Sequence, residues 1–150
     1  METFKFRAFL DTNVLLDVLC TPKRPSAEAS ETIFQAIRTG IFEGFITTQS
    51  LVDAAYILSR LSGRFDREAF GQCVLSMTNY LNINAINVFD IRNAIIRSDG
   101  DLEDDAQFAH AEDLGCDAII TSDRTFRQRK DGSGPQLFTP ESFVARLRGH

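Results

Sequence analysis

The chain predicts an α/β fold, a parallel sheet covered by helices on both faces, and three observations point there. Short apolar runs at Phe6 to Leu10, Phe42 to Ile46 and Ala118 to Thr121 alternate with stretches whose apolar residues recur at helical spacing. Carboxylates fall where such a run ends or a helix begins, at Phe9-Leu10-Asp11-Thr12-Asn13, Asp101-Leu102-Glu103-Asp104-Asp105 and Ile119-Ile120-Thr121-Ser122-Asp123. In an open parallel sheet the crevice beyond the carboxyl ends of the strands is where ligands bind, so acids from distant sequence converge there. A chain of 150 residues with 43% hydrophobic content is also the right size for one globular domain, here residues 1–150, with a real core.

Phe6 to Leu10 reads as a buried strand, and Val14, Leu15, Val18 and Leu19 continue at helical spacing until Pro22 and Pro25 interrupt. From Ser26, placed to cap a helix, Ile33, Phe34 and Ile37 mark one face until Gly40 supplies a stop. Phe42 to Ile46 is the second strand, and Leu51, Ala54, Ala55, Leu58 and Leu61 form the core stripe of the helix after it. A turn at Ser62-Gly63 leads to a helix capped by Asp66, with the stripe Ala69, Phe70, Cys73, Met77 and Leu81, and this pair of helices is expected as an arm off the sheet. Ala85 to Phe89 is the third strand candidate, Ile91 to Ile96 a helix, and Ser98 to Asp101 a polar break. A helix from about Leu102 to Leu114 closes at Gly115, Ala118 to Thr121 is a core strand, and Gly132 to Pro135 a loop. Leu137-Phe138 is a short edge strand, and Thr139-Pro140 starts a last helix carrying Phe143, Val144 and Leu147. No internal repeat, low-complexity segment or linker interrupts this order.

Composition narrows the function classes. No apolar stretch approaches the roughly 20 residues of a membrane helix, and Met1-Glu2-Thr3-Phe4-Lys5 lacks the features of a signal peptide, so a cytoplasmic protein without a membrane partner is expected. Cys20, Cys73 and Cys116 are odd in number and widely spaced, which points to reduced, mostly buried thiols rather than a disulfide framework or zinc site. A formal net charge of -5 argues against holding nucleic acid by bulk electrostatics, though not against nucleic acid as a substrate. Two basic segments, Arg60, Arg64 and Arg67, and Arg124, Arg127, Arg129 and Lys130, also read as ordinary solvated surface.

Four acids stand out, each with a plainer structural explanation. Asp11 ends an otherwise apolar strand; it could N-cap the next helix, but Thr12 and Asn13 offer caps of their own, which would leave Asp11 to face the crevice. Asp53 lies three residues past Ser50, where it also fits a capping box. The run Asp99, Asp101, Glu103, Asp104 and Asp105 crowds the first turn of a helix, where the macrodipole favours negative charge by only about 0.3–1 kcal/mol per group. That gain does not offset repulsion among five acids, so a bound cation is one reading and a solvated acidic loop the other. Asp104 and Asp105 point roughly 100° apart, so one of them faces the crevice. Asp123 falls just past a strand end, where an Asx turn into Arg124-Thr125 is the alternative.

Dismissing the whole set takes four separate coincidences. Aspartates are hard oxygen ligands, and an all-oxygen site with open positions suits Mg²⁺ or Mn²⁺ better than zinc. Such ions polarise a phosphoryl oxygen, activate water and stabilise a leaving oxygen, the needs of phosphodiester hydrolysis. His110 lies six positions beyond Asp104, off its face, and His150 is terminal; neither is given a role.

At these residues the sequence resembles the PIN-domain family, particularly VapC-like toxins of bacterial toxin–antitoxin pairs. The matching pieces are Phe9-Leu10-Asp11-Thr12-Asn13-Val14-Leu15-Leu16-Asp17, Asp101-Leu102-Glu103-Asp104-Asp105-Ala106-Gln107, Ile119-Ile120-Thr121-Ser122-Asp123 and Leu137-Phe138-Thr139-Pro140-Glu141-Ser142-Phe143, in the expected order over nearly the whole chain. The resemblance implies a three-layer α/β/α sandwich with a central parallel sheet, and Mg²⁺- or Mn²⁺-dependent cleavage of RNA. It also implies a homodimer and inhibition by a small antitoxin protein. Carried over residue by residue, it makes Asp11 the first metal ligand, Asp104 the third acid and Asp123 the last. The second acid of such proteins is usually Glu, and Asp53 occupies that place, its carboxylate set back by about one methylene. Asp105 substitutes for Asp104 if the helix begins one residue later, although counting back from Gly115 favours Asp104. Asn13 and Ser122 look like residues that orient carboxylates or water, and Asp101 stands beside the set.

Three other classes compete. A phosphatase with an Asp-x-Asp nucleophile is disfavoured because Asn13 replaces the second Asp. A receiver-type signalling domain needs a Lys at a late strand end, and Lys5, Lys23 and Lys130 are not so placed. A catalytically weak or inactive PIN-fold module kept for protein binding remains the main alternative, because Asp for Glu at position 53 is compatible with weakened catalysis.

Overall fold

The computed structural model describes residues 5–20, 22–61, 65–97, 100–126 and 132–149. The Ser62-Gly63 turn, the Ser98-Asp99 part of the polar break, Arg64, Arg127, Arg129, Lys130 and His150 lie outside them. Among the described residues are five strands, β1 (Arg7–Leu10), β2 (Glu43–Thr47), β3 (Leu81–Asn84), β4 (Ala118–Ile120) and β5 (Gln136–Phe138), the first four separated by pairs of helices and the fifth followed by one. The helices are α1 (Thr12–Leu19), α2 (Ala27–Arg38), α3 (Thr48–Leu61), α4 (Arg67–Met77), α5 (Val88–Arg97), α6 (Leu102–Asp113) and α7 (Pro140–Arg148). The strands form one sheet in the order β3-β2-β1-β4-β5, with every pairing parallel.

Period-2 alternation divides the strand side chains between two cores. Ala8, Leu10, Ile46, Ala118 and Ile120 face one layer with Val14 and Leu15 of α1, Ile33 and Ile37 of α2 and Phe143 of α7. Phe9, Phe45 and Ile119 face the opposite layer, where Phe108 and Ala111 of α6 cover them. Helices on both faces of a parallel sheet are the expected α/β/α sandwich. Close approach of α2 to β2 depends on Gly44, where a Cβ would run into the Ile37 side chain and come within 3.0 Å of Leu81.

Local chemistry fixes several boundaries as the sequence predicts. Asp66 Oδ1 accepts from Ala69 N at 3.0 Å to cap α4, and Thr139 with Ser142 makes a reciprocal capping box ahead of α7, with Pro140 in its first turn. Gly115, at φ +71°, ends α6 in a conformation that side chains rarely adopt.

Four expectations need correction. Ala85 to Phe89 is not the third strand: Leu81, expected as the end of a helical stripe, opens β3 beside Gly44 instead. The β-prone Val88 and Phe89 begin α5 because Asn87 Oδ1 accepts from the backbone N of Phe89 and Asp90, and this cap overrides propensity. Ser50 does not cap a helix. α3 starts directly after β2, where Thr47 Oγ1 accepts from Ser50 N, and Asp53 is therefore not at an N3 position. Ser26 precedes α2 without a side-chain cap bond. Of the three free thiols only Cys116 is buried; Cys20 is intermediate and Cys73 exposed, on an open cavity that α4 lines together with α1 and α2.

Candidate functional site

Strand order reverses at β1, whose neighbours are β2 on one side and β4 on the other, so the connections leaving the carboxyl ends of β1 and β4 diverge and open a crevice. An open cavity of about 380 Å³ lies there. Asp11 from the end of β1, Asp53 from α3, Asp101, Glu103 and Asp104 from the first turn of α6, and Asp123 from beyond β4 all line it, together with Thr12, Asn13, Gln107 and Thr125. Asp105 is not among the lining residues, and neither is Ser122.

Asp11 is 8% exposed and held by three donors. Its Oδ1 accepts from Thr12 N at 2.7 Å, the N-cap bond of α1, while Oδ2 accepts from Thr121 Oγ1 at 2.7 Å and Asn13 Nδ2 at 3.0 Å. The expectation that Thr12 and Asn13 would cap α1 and leave Asp11 free is thus corrected: Asp11 caps the helix and lines the cavity together. Burial pushes its carboxyl pKa up, opposed by the bonds from Thr121 and Thr12 and reinforced by the charge of Asp123.

Thr121 and Asn13 knit β4 to α1 beneath these acids. Thr121 Oγ1 also accepts from Asp123 N at 3.0 Å, and Asn13 Oδ1 accepts from Ser122 N at 3.2 Å. Ser122 joins this network through its backbone N–H, and it does not line the cavity. Asp123 Oδ1 accepts from both the N and the Oγ1 of Thr125, at 2.9 and 2.8 Å, so the Asx turn forms and the side chain still lines the cavity. Asp101 caps α6 by accepting from Asp104 N at 3.1 Å, and Asp53 Oδ1 accepts from Gln49 Nε2 at 2.8 Å.

Of the acids lining the cavity, Asp104 is shifted furthest. Partial burial and the charges of Asp101, Asp123, Asp11 and Glu103 push its pKa from 3.8 to about 6. Glu103 is raised by burial and by Asp101, Asp53, Asp11 and Asp123. Acids from separate elements thus repel one another across one space, and no Lys or Arg is among the described residues that line it. No three His, Cys, Asp or Glu side chains among the described residues are already gathered into a ready ligand set. The donor chemistry nonetheless fits a hard divalent cation: oxygen ligands, an excess of negative charge, and room for water on the ion.

Sequence reasoning missed three residues here. Thr121 stands in the sequence as the Thr of a Thr-x-Asp motif with Asp123, with no role of its own. Glu103 entered only as one member of an acidic run. Gln107 closes one of the matching pieces without a role of its own, and its signal is its place one helical turn beyond Glu103 and Asp104. His110, given no role, lies 2.9 Å from Asp90 in the core and not in the cavity.

A family model described as PIN domain matches residues 7–125. No curated protein sequence matches the chain. Among solved structures, VapC20 of Mycobacterium tuberculosis, a toxin that cleaves the sarcin-ricin loop, is similar at TM-score 0.61 and 14% identity, over 79% of this chain and 92% of that one. The Pyrobaculum aerophilum protein PAE2754 is similar at TM-score 0.63 and 17% identity, over 97% of both chains. A chain of a toxin–antitoxin complex from Klebsiella pneumoniae is similar at TM-score 0.59 and 18% identity, over 89% of this chain and 97% of that one. At these identities the likeness is one of fold.

Proposed function

The chain belongs to the PIN-domain family, and on that premise we propose that it is a metal-dependent endoribonuclease, the toxin of a toxin–antitoxin pair acting on RNA in the cytoplasm. The observation that carries this reading is the meeting of acids from β1, α3, α6 and the end of β4 around one cavity lined by no described cation. In it, Asp11, Asp104 and Asp123 hold Mg²⁺ or Mn²⁺, and Asp53 completes the acidic set. Such an ion supplies polarisation of a phosphoryl oxygen and a water acidified toward neutral pH.

The chain's own residues supply position. Asp11 is fixed by Thr121, Asn13 and the Thr12 backbone, so its carboxylate does not reorganise when a cation arrives. Asp123 is braced by Thr125 in the same way. Asp104, Asp11 and Glu103 have raised proton affinity, and a cation relieves the repulsion behind part of that rise. Arg124 and other arginines outside the cavity would position the strand through its phosphates.

A small antitoxin partner is supported by the fold's likeness to a chain of a toxin–antitoxin complex. A homodimer is supported by apolar side chains exposed on α3 and α5, among them Val52, Tyr56, Phe89 and Ile96. A second reading, a PIN fold kept for protein binding with weak or no catalysis, is favoured by one observation, the shorter Asp53 where Glu is usual.

Cleavage of a structured RNA panel in Mn²⁺, Mg²⁺ and EDTA, with Asp11→Asn purified in parallel, tests the proposal. Metal-dependent cuts that vanish in the variant are the expected result. Cuts that persist in Asp11→Asn would sink the assignment, and absence of both cleavage and Mn²⁺ binding would leave the protein-binding reading.

A further inference from the structure

Gln107 is the one buried polar side chain lining the cavity whose hydrogen-bonding capacity is unspent among the described residues. It is 6% exposed, and its Oε1 is buried without a hydrogen-bond partner. The other neutral polar groups nearby are committed. Thr12 Oγ1 donates to Ser50 Oγ at 2.8 Å, Asn13 uses both ends of its amide, and Thr125 Oγ1 donates to Asp123. Tyr56, the remaining one, is 60% exposed and meets water freely. Buried acceptors are almost always paired, and one left unpaired costs stability, so a protein that keeps one beside its candidate site holds it for what binds there.

Geometry says what that is. Gln107 lies one turn beyond Glu103 and Asp104 on α6, and side chains on a helix lean toward its N-terminus, so the amide reaches back over the turn that carries those carboxylates. An amide carbonyl accepts but carries no full charge, so it does not compete with carboxylates for a hard cation. Mg²⁺-like ions keep several of their waters, and each such water is a strongly polarised donor in need of an acceptor. We infer that Gln107 is a positioning residue of the metal site: its side-chain carbonyl accepts a hydrogen bond from a water carried by the divalent ion that Asp11, Asp104 and Asp123 hold. The inference rests on the metal-dependent reading above and adds a residue to it.

Calorimetric titration of Mn²⁺ into the wild type, Gln107→Leu and Gln107→Glu tests it, with the melting temperature of each measured in EDTA. Leu keeps the volume and removes the acceptor, so Mn²⁺ affinity should fall by about 10-fold or more, the usual scale for losing a group that supports a metal site. The metal-free melting temperature should hold or rise, because an unpaired buried acceptor has gone. Glu retains an acceptor oxygen and should bind Mn²⁺ at least as tightly as the wild type; this variant decides the matter if Gln107→Leu does not fold. Wild-type affinity in Gln107→Leu, a large loss of metal-free stability there, or weakened binding by Gln107→Glu would each overturn the role of Gln107 alone. A wild type that binds no Mn²⁺ would overturn both this role and the metal-dependent reading beneath it.

Discussion

Asp104 shows how a single side chain carries the conflict between folding and binding. Its pKa rises from 3.8 to about 6 because burial and four neighbouring acids disfavour its charge. The folded chain therefore binds a proton there more tightly than the unfolded one, and the resulting stability is fully present below about pH 4 and lost as pH rises through about 6. Metal-free protein should gain urea resistance between pH 7 and pH 5, and Asp104→Asn should be more stable than the wild type at pH 7 with a flatter slope over that window. Equal slopes in the two proteins would show that repulsion on Asp104 is not felt. Divalent-ion binding should weaken over the same window, because protons and cation compete for the same oxygens.

At the scale of elements, short side-chain bonds decide where helices begin, and those helices carry the site. Asn87 is the clearest case. Its Oδ1 accepts from Phe89 N and Asp90 N, and Asp90 Oδ2 in turn accepts from Asn87 N at 3.0 Å and lies 2.9 Å from His110 Nδ1 of α6. One cap thereby starts α5 and locks it against the helix bearing Glu103, Asp104 and Gln107. Asn87→Ala should cost about 1 kcal/mol in urea denaturation, the usual scale for a lost N-cap. A variant as stable as the wild type would mean that Asp90 alone holds the start of α5. Asp90 and His110 are 1% and 2% exposed, and they were unreadable from sequence because neither repeats a periodic position shared with the other.

For the whole molecule, the apolar residues left over by the sandwich are as informative as those inside it. Both sheet faces are covered, yet α5 keeps Phe89 and Ile96 exposed at 65% and 77%. Large exposed apolar side chains clustered on surface helices mark association sites when contiguous. The wild type should sediment as a dimer, and Ile96→Glu or Phe89→Glu should shift it toward monomer while circular dichroism stays unchanged. A wild type that sediments as a monomer at all accessible concentrations would remove the dimer from the reading.

By itself the sequence determined what local rules write into it. Alternating apolar runs and helical stripes set the α/β class, Asp66, Thr139-Pro140 and Gly115 marked helix ends by their own chemistry, and Asp11 and Asp123 stood out at strand ends. Only the tertiary structure decided which strand lies beside which, and with it the crevice at β1 and β4. It also decided that Asp104 and not Asp105 lines the cavity, that Asp53 sits within α3 instead of at its cap, and that Thr121 grips Asp11 across 110 residues of chain. Such lateral contacts join residues far apart in sequence, so no spacing or periodicity records them; they exist only once the sheet has brought the two strands together.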